Sequence, residues 1–195
     1  TILFKVRNAS DFDLDPASTY VDGRVGDPQI GTVHPLTGPV YIEGAEPGDV
    51  LAVTLLDIAP GPFGYTSVSP IGFVSDHVTG SFRALWRLTR LAAVSDDVPG
   101  VRVPSANFPG IVTVLPGPEQ LEAMLSREAE LVALGGAGFP PHPLHASPAE
   151  ICGPNGSHAN ECLRTLPPRE HGGNLDIRYL QVGVTIYLPC YIDGC

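Results

Sequence analysis

The sequence predicts an all-β protein, an antiparallel β-sandwich with one covering helix and long proline-rich loops. Three observations predict it. Residues Phe82 to Thr89 alternate, with Phe82, Ala84, Trp86 and Leu88 set against Arg83, Leu85, Arg87 and Thr89, which gives one core face and one mostly wet face. The chain carries 22 Gly and 21 Pro among 195 residues, so turns recur too often for a succession of long helices. Only one stretch has helical periodicity, and that disfavours alternating β and α units.

The remaining elements follow from local chemistry. Ile2–Val6, Val40–Ile42, Val50–Ile58, Ile111–Leu115 and Val182–Tyr191 are rich in Val, Ile, Leu and Tyr and read as strands. The helix is expected from Pro118 to about Leu134. Pro118 takes its first position and Glu119 its first turn, Leu121, Met124, Leu125 and Val132 supply its apolar side, and Gly135-Gly136 stops it. It is expected to cover an open face or end of a sheet. From Gly135 to Pro168 the chain has Pro140, Pro141, Pro143, Pro148, Pro154, Pro167 and Pro168 and no periodicity. Loops of that length are usually functional or disordered. No internal repeat divides the chain, so residues 1–195 read as one domain.

Composition excludes several function classes. Eleven Lys and Arg against 21 Asp and Glu give a net charge of −10, which repels phosphate and argues against nucleic acid. Lys5 is the only lysine, so there is no basic cluster for an anionic membrane, and no apolar run approaches the roughly 20 residues of a membrane-spanning helix. Cys152, Cys162, Cys190 and Cys195 are too sparse for a disulfide scaffold, and no signal peptide precedes them. A cytoplasmic location is the expectation.

Two segments carry candidate chemistry. Arg164–Asp176 concentrates Arg169, Glu170, His171, Asn174 and Asp176 around Gly172-Gly173. The glycine pair permits a tight turn or a close approach to a ligand, so side chains on both sides can converge as a metal or hydrolytic site requires. The plainer alternative is a polar turn in which Asn174 and Asp176 bond nearby backbone and His171 is solvated. In Val33–Asp49, Glu43 ends a short apolar strand. Pointing inward it would be desolvated and tuned as an acid or base; on an edge strand it would face water. Glu46-Pro-Gly-Asp49 reads as a surface turn.

Other candidates carry less. Cys152, His158 and Cys162 match no common zinc spacing. His142 and His145 read as surface histidines, and the adjacent Asp76 and His77 point apart. No Gly-x-Ser-x-Gly elbow or phosphate-cradling loop is present.

The stretch His34-Pro-Leu-Thr-Gly-Pro-Val-Tyr-Ile-Glu-Gly-Ala-Glu-Pro-Gly-Asp-Val-Leu51 and the stretch Pro167-Pro-Arg-Glu-His-Gly-Gly-Asn-Leu-Asp176 closely resemble the acetamidase/formamidase family. Phe108-Pro-Gly-Ile111 and Tyr187-Leu-Pro189 fit it too, and the Pro-Pro-Arg-Glu-His-Gly-Gly-Asn form resembles its formamidase branch. The resemblance implies hydrolysis of small linear amides, such as formamide or acetamide, to acid and ammonia. It further implies a β-sandwich, a divalent metal of the Zn²⁺ type and a homo-oligomer. On this reading His171 and Asp176 hold part of the metal, Glu43 or Glu170 moves the proton, and Asn174 orients substrate or stabilises the oxyanion. Family members continue past the position of Cys195 and begin before Thr1. The chain is therefore expected to be part of a longer protein, or one chain of a cleaved protein whose second chain completes the site. The alternative is a non-catalytic β-sandwich fragment.

Overall fold

The computed structural model describes residues 1–7, 9, 34–68, 70, 72–80 and 82–195. In chain order the strands and helices are β1 (Val50–Thr54), β2 (Phe63–Val68), β3 (Phe82–Leu88), β4 (Ala92–Val94), β5 (Arg102–Pro104), β6 (Ile111–Thr113), α1 (Pro118–Ala133), α2 (Ala149–Cys152), β7 (Pro168–Arg169), β8 (Gly172–Asn174) and β9 (Thr185–Pro189). Every strand pair is antiparallel, as short turn-linked strands require. The all-β antiparallel class is therefore the one observed.

Three sheets result. The strands β2-β3-β4-β5 form a meander, β1 pairs with β9, and β8 lies between β6 and β7. In β3, Ala84 is buried and Arg87 is exposed, where it forms a two-bond ion pair with Asp96 at 2.5 and 3.0 Å. The alternation read from sequence holds only at Ala84 and Arg87: Phe82 at the strand's start is exposed, and Arg83, Leu85, Trp86 and Leu88 are all half-buried.

Some expected strands are shorter or missing, for local reasons. Ile2–Val6 forms no ladder, and Leu3 and Val6 are exposed; a strand needs a partner edge for its N–H and C=O groups. Val40–Ile42 is bounded by Pro39, which has no N–H, and by a Glu43-Gly44 turn, and its Ile42 N–H donates to Gly194 O at 3.1 Å. The β1–β9 ladder ends near Leu55 because the partner chain turns at Gly183, where φ is +90°. Beyond β6 the chain changes partner: Val114 N–H donates to His171 O and Leu115 N–H to Cys195 O, each at 3.1 Å.

Helix α1 follows its sequence signals closely. Pro118 follows the Gly117 cap, and Glu119 sits in the first turn. At the other end Gly135, with φ +77°, lets Gly135 N–H and Gly136 N–H reach Val132 O and Leu131 O at 2.9 and 2.8 Å. The buried face carries Met124, 1% exposed, and Glu128 one turn later. Leu131 and Val132 are exposed instead.

The long proline-rich segment is not structureless: it holds α2 and a 3-10 turn at Pro143–His145. His142 is half-buried rather than a surface residue, whereas Asp76 and His77 are exposed. The cysteines are corrected more strongly. Cys152 pairs with Cys162 and Cys190 with Cys195, their Cα atoms 5.7 and 4.9 Å apart, so no free thiol exists. Loop closure brings each pair into disulfide range, which sequence spacing does not reveal. Among the described residues no helix is long and apolar enough to cross a membrane.

Met124 is the only large side chain that is almost wholly enclosed among the described residues. Met124→Ala should lower stability by about 2–5 kcal/mol in denaturant titrations of the intact protein; a loss near zero would mean that α1 is not held by this face.

Candidate active site

The site begins with a two-residue turn. Pairing of Pro168 with Gly173 and of Arg169 with Gly172 leaves Glu170 and His171 at the tip of the β7–β8 hairpin. Gly172 and Gly173 both have positive φ, +101° and +102°, conformations that side chains rarely adopt. A Cβ on Gly172 would stand 2.5 Å from Val112 O and 3.3 Å from Leu188 Cδ2. Glycine is needed here for dihedral and for space, because β8 lies hard against β6.

The flanking charges are clasped by α1. Arg169 donates through Nε to Glu128 Oε1 at 2.6 Å and through Nη2 to Oε2 at 3.1 Å, and its Nη1 reaches Arg164 O at 2.6 Å. These two side chains are only 4% and 7% exposed. Next to them, Glu170 pairs through both carboxylate oxygens with Arg127 near the surface. The dipeptide Arg-Glu occurs at 127–128 and again at 169–170, and the two copies pair crosswise. The hydrogen bonds from Arg127 pull the Glu170 carboxyl down to about 2, so it is a firmly ionised and weak base.

His171 is buried, 8% exposed. Desolvation lowers its pKa, the Arg169 charge adds to this, and the Glu170 carboxylate opposes it. Burial thus favours the neutral form of the imidazole. Its carbonyl accepts from Val114 N–H and the Thr113 hydroxyl, both at 3.1 Å, yet its Nδ1 is enclosed with no hydrogen-bond partner. A neutral ring with an unsatisfied buried nitrogen fits a metal ligand.

At the far end of β8 a second pair converges. Asn174 Nδ2 donates to Leu166 O at 2.9 Å. Asp176, at φ +48°, donates its N–H to Gly110 O at 3.1 Å. A Cβ on Gly110 would stand 3.0 Å from Asp176 Oδ1 and 3.7 Å from Asn174 Oδ1, so both oxygens occupy the space that Gly110 leaves open. Asp176 is exposed and Asn174 half-buried.

Glu43 lies elsewhere, exposed in a turn closed by Ala45 N–H on Ile42 O at 3.2 Å. The desolvated, inward-pointing carboxylate anticipated for it is absent among the described residues, because Val40–Ile42 forms no strand that would aim it inward. Glu46–Asp49 is a surface turn, with Asp49 Oδ2 accepting from Glu46 N–H at 2.9 Å. Val33, at the head of this segment, is outside the described residues.

Hydrogen bonds tie the two motifs together at two places. Thr165 Oγ1 accepts from His34 N–H at 2.9 Å and donates to His34 O at 2.7 Å. Gly194–Cys195 bridges Ile42 to Leu115, one residue past the Val114 contact with His171. Glu170 and His171 thus share a turn and Asn174 and Asp176 share a spot over Gly110, while Glu43 stands apart. Among the described residues no three His, Cys, Asp or Glu side chains gather in a metal-holding group.

Sequence reasoning passed over Arg127, Glu128, Thr165 and Gly110. The repeated Arg-Glu was a usable signal for the first two; Thr165 and Gly110 lie inside the Arg164–Asp176 and Phe108–Ile111 stretches, but their contacts form only in the fold.

The Acetamidase/Formamidase family profile matches residues 4–195. An acetamidase from Mycolicibacterium smegmatis is 32% identical over 218 aligned positions, which take in 97% of this chain and 53% of that protein. A formamidase from Methylophilus methylotrophus is 34% identical over 184 positions, covering 87% and 45%. Among solved structures, a gamma lactamase from Delftia acidovorans gives a TM-score of 0.85 at 32% identity, covering 97% of this chain and 49% of its own. An acetamidase from Bacillus halodurans gives 0.54 at 26% identity, covering 83% and 40%. The chain spans about half the length of the curated relatives it matches.

Gly172→Ala combines a left-handed φ with a clash against the β6 backbone. It should cost at least about 2–3 kcal/mol, read from the denaturation midpoint; unaltered stability would mean that β8 does not press on β6 as described.

Proposed function

This chain belongs to the acetamidase/formamidase family, and from that premise we propose that it hydrolyses the C–N bond of small linear amides such as formamide or acetamide, with water as co-substrate and carboxylic acid and ammonia as products. The observation that carries the proposal is the buried His171 imidazole whose Nδ1 has no hydrogen-bond partner among the described residues. A divalent metal, Zn²⁺ being the expected ion, would be held by His171 together with groups outside the described residues; Asp176, expected beside it, lies at the other end of β8, and no three donors gather among the described residues. When bound it supplies Lewis acidity toward the amide carbonyl and the attacking water.

The chain's own residues divide the remaining work. Asn174 uses one amide N–H on Leu166 O, which fixes the side chain and leaves its other N–H to orient the substrate or its oxyanion. Of the two glutamates, Glu170 is committed to Arg127 and held down to about 2. Glu43 has no cationic partner among the described residues, so it stays the uncommitted candidate for proton carrier, from a turn that stands apart from His171 and would need groups outside the described residues to complete the site. It would take the water proton and return it to the leaving amine.

Exposed Leu131, Val132 and Leu134 along one end of α1 support an oligomer or a second chain packed there. Four paired cysteines weigh against the cytoplasmic location, since disulfides are rare in a reducing compartment. The scattered donors favour one other reading, a non-catalytic sandwich subunit that needs a second chain to complete the site.

The experiment is ammonia release from formamide and acetamide by the purified protein, with a γ-lactam in parallel, with and without chelator. The expected outcome is chelator-sensitive turnover, reduced on the order of 100-fold or more by His171→Ala. Turnover indifferent to chelator would remove the metal. No turnover by this chain, restored by a co-purifying polypeptide, would establish the subunit reading. For the proton carrier, Glu43→Gln should lower kcat by about 10²-fold or more, and full retained activity would remove that role.

A further inference from the structure

The crosswise pairing of the two Arg-Glu dipeptides does more than attach a helix. Glu128 and Arg169 are nearly wholly buried and joined by two bonds. Buried ion pairs are poor devices for stability, because apolar residues of similar volume usually stabilise as well or better. What a bidentate guanidinium–carboxylate pair does supply is a fixed geometry. Arg169 is two residues before His171, and the intervening Glu170 is itself pinned to the adjacent helix position, Arg127.

The His171 ring needs such fixing. Gly172 and Gly173, which follow His171, fix its backbone against β6 but offer no side chain to pack against its ring. The His171 ring has no hydrogen bond at Nδ1 to hold it. The carbonyl of His171 is held from the β6 side by Val114 and Thr113; on the opposite side α1 supplies the side-chain ion pairs to Arg169 and Glu170, beside the Arg169 bond to Arg164 O and the Tyr191 hydroxyl on Glu170 O. We infer that Glu128, acting through Arg169, is a positioning residue that sets the His171 imidazole, so that α1 is part of the site's machinery rather than a cover. The inference rests on the amidase reading for its kinetic consequence, and not for its structural one.

The test compares three variants of the intact protein. Glu128→Gln removes one charge. Glu128→Leu/Arg169→Met replaces the pair with apolar side chains and should keep a melting temperature near wild type. Met124→Ala loosens the same helix face without touching Arg169. Each is read by kcat and KM for amide hydrolysis and by the NMR signals of the His171 ring. The first two should lower kcat about 10–100-fold with KM changed less than about threefold, and should broaden or double the His171 signals. Met124→Ala should leave both readouts of the folded protein at wild-type values. A double variant with wild-type kcat and a single sharp His171 signal overturns the inference, as does Met124→Ala matching Glu128→Gln in both. Should Glu128→Gln fail to fold, Glu128→Asp, which keeps the charge on a shorter arm, is read by the same criteria. Should wild type release no ammonia, the amidase reading falls and the ring signals alone decide the positioning role.

Discussion

The contact between β6 and Gly172 is the constraint from which the site follows. Because the Gly172 Cα lies against the Val112 carbonyl with no room for a side chain, β8 reaches a depth in its sheet that no other residue permits. That depth carries His171 inward and leaves its ring almost wholly enclosed. It also sets the level of β8 relative to the Phe108-Pro-Gly-Ile111 segment, so that Asn174 and Asp176 arrive over another bare glycine, Gly110. The two polar groupings are the two ends of one short strand, and two close backbone approaches seat that strand.

Burial of charge is the second theme, and it is selective. Arg169 and Glu128 leave water together, each satisfying the other, with Arg164 O taking a further Arg169 donor. The neighbouring pair stays near the surface, where Arg127 still holds Glu170 ionised. His171 sits between a buried cation and a surface carboxylate, and the cost of desolvating its charged form is what favours the neutral ring. A neutral imidazole with one idle nitrogen is thus a product of packing rather than of any one neighbour.

Particular residues show how far reading the chain could go. Helix α1 was legible almost to the residue because its signals are local: Pro118, Glu119 and the glycine pair each act within a turn. β3 was legible as a strand because Phe82, Ala84, Trp86 and Leu88 fall at every second position, although only Ala84 among them is fully buried. Ile2–Val6 misled because apolar β-branched content describes what a strand prefers and says nothing of whether an edge is there to receive it. Glu43 misled for the same reason: its direction depended on a strand that Pro39 and Gly44 do not allow. Glu170, one of two glutamates open as proton carrier on sequence, turns out to be engaged by an arginine 43 positions away in the chain.

What the amino-acid order determined by itself was the antiparallel β class, the long helix α1, the net charge of −10, and the two motifs that mark the family. These rest on composition, local periodicity and contiguous residue identity, all of which survive without a fold. Tertiary structure alone decided which charges pair, which cysteines meet, which glycines must remain bare, and that His34 is stitched to Thr165 across 131 positions. Each of those depends on distances between chain segments remote in sequence, and such distances are set by the packing of the whole rather than by any window of residues.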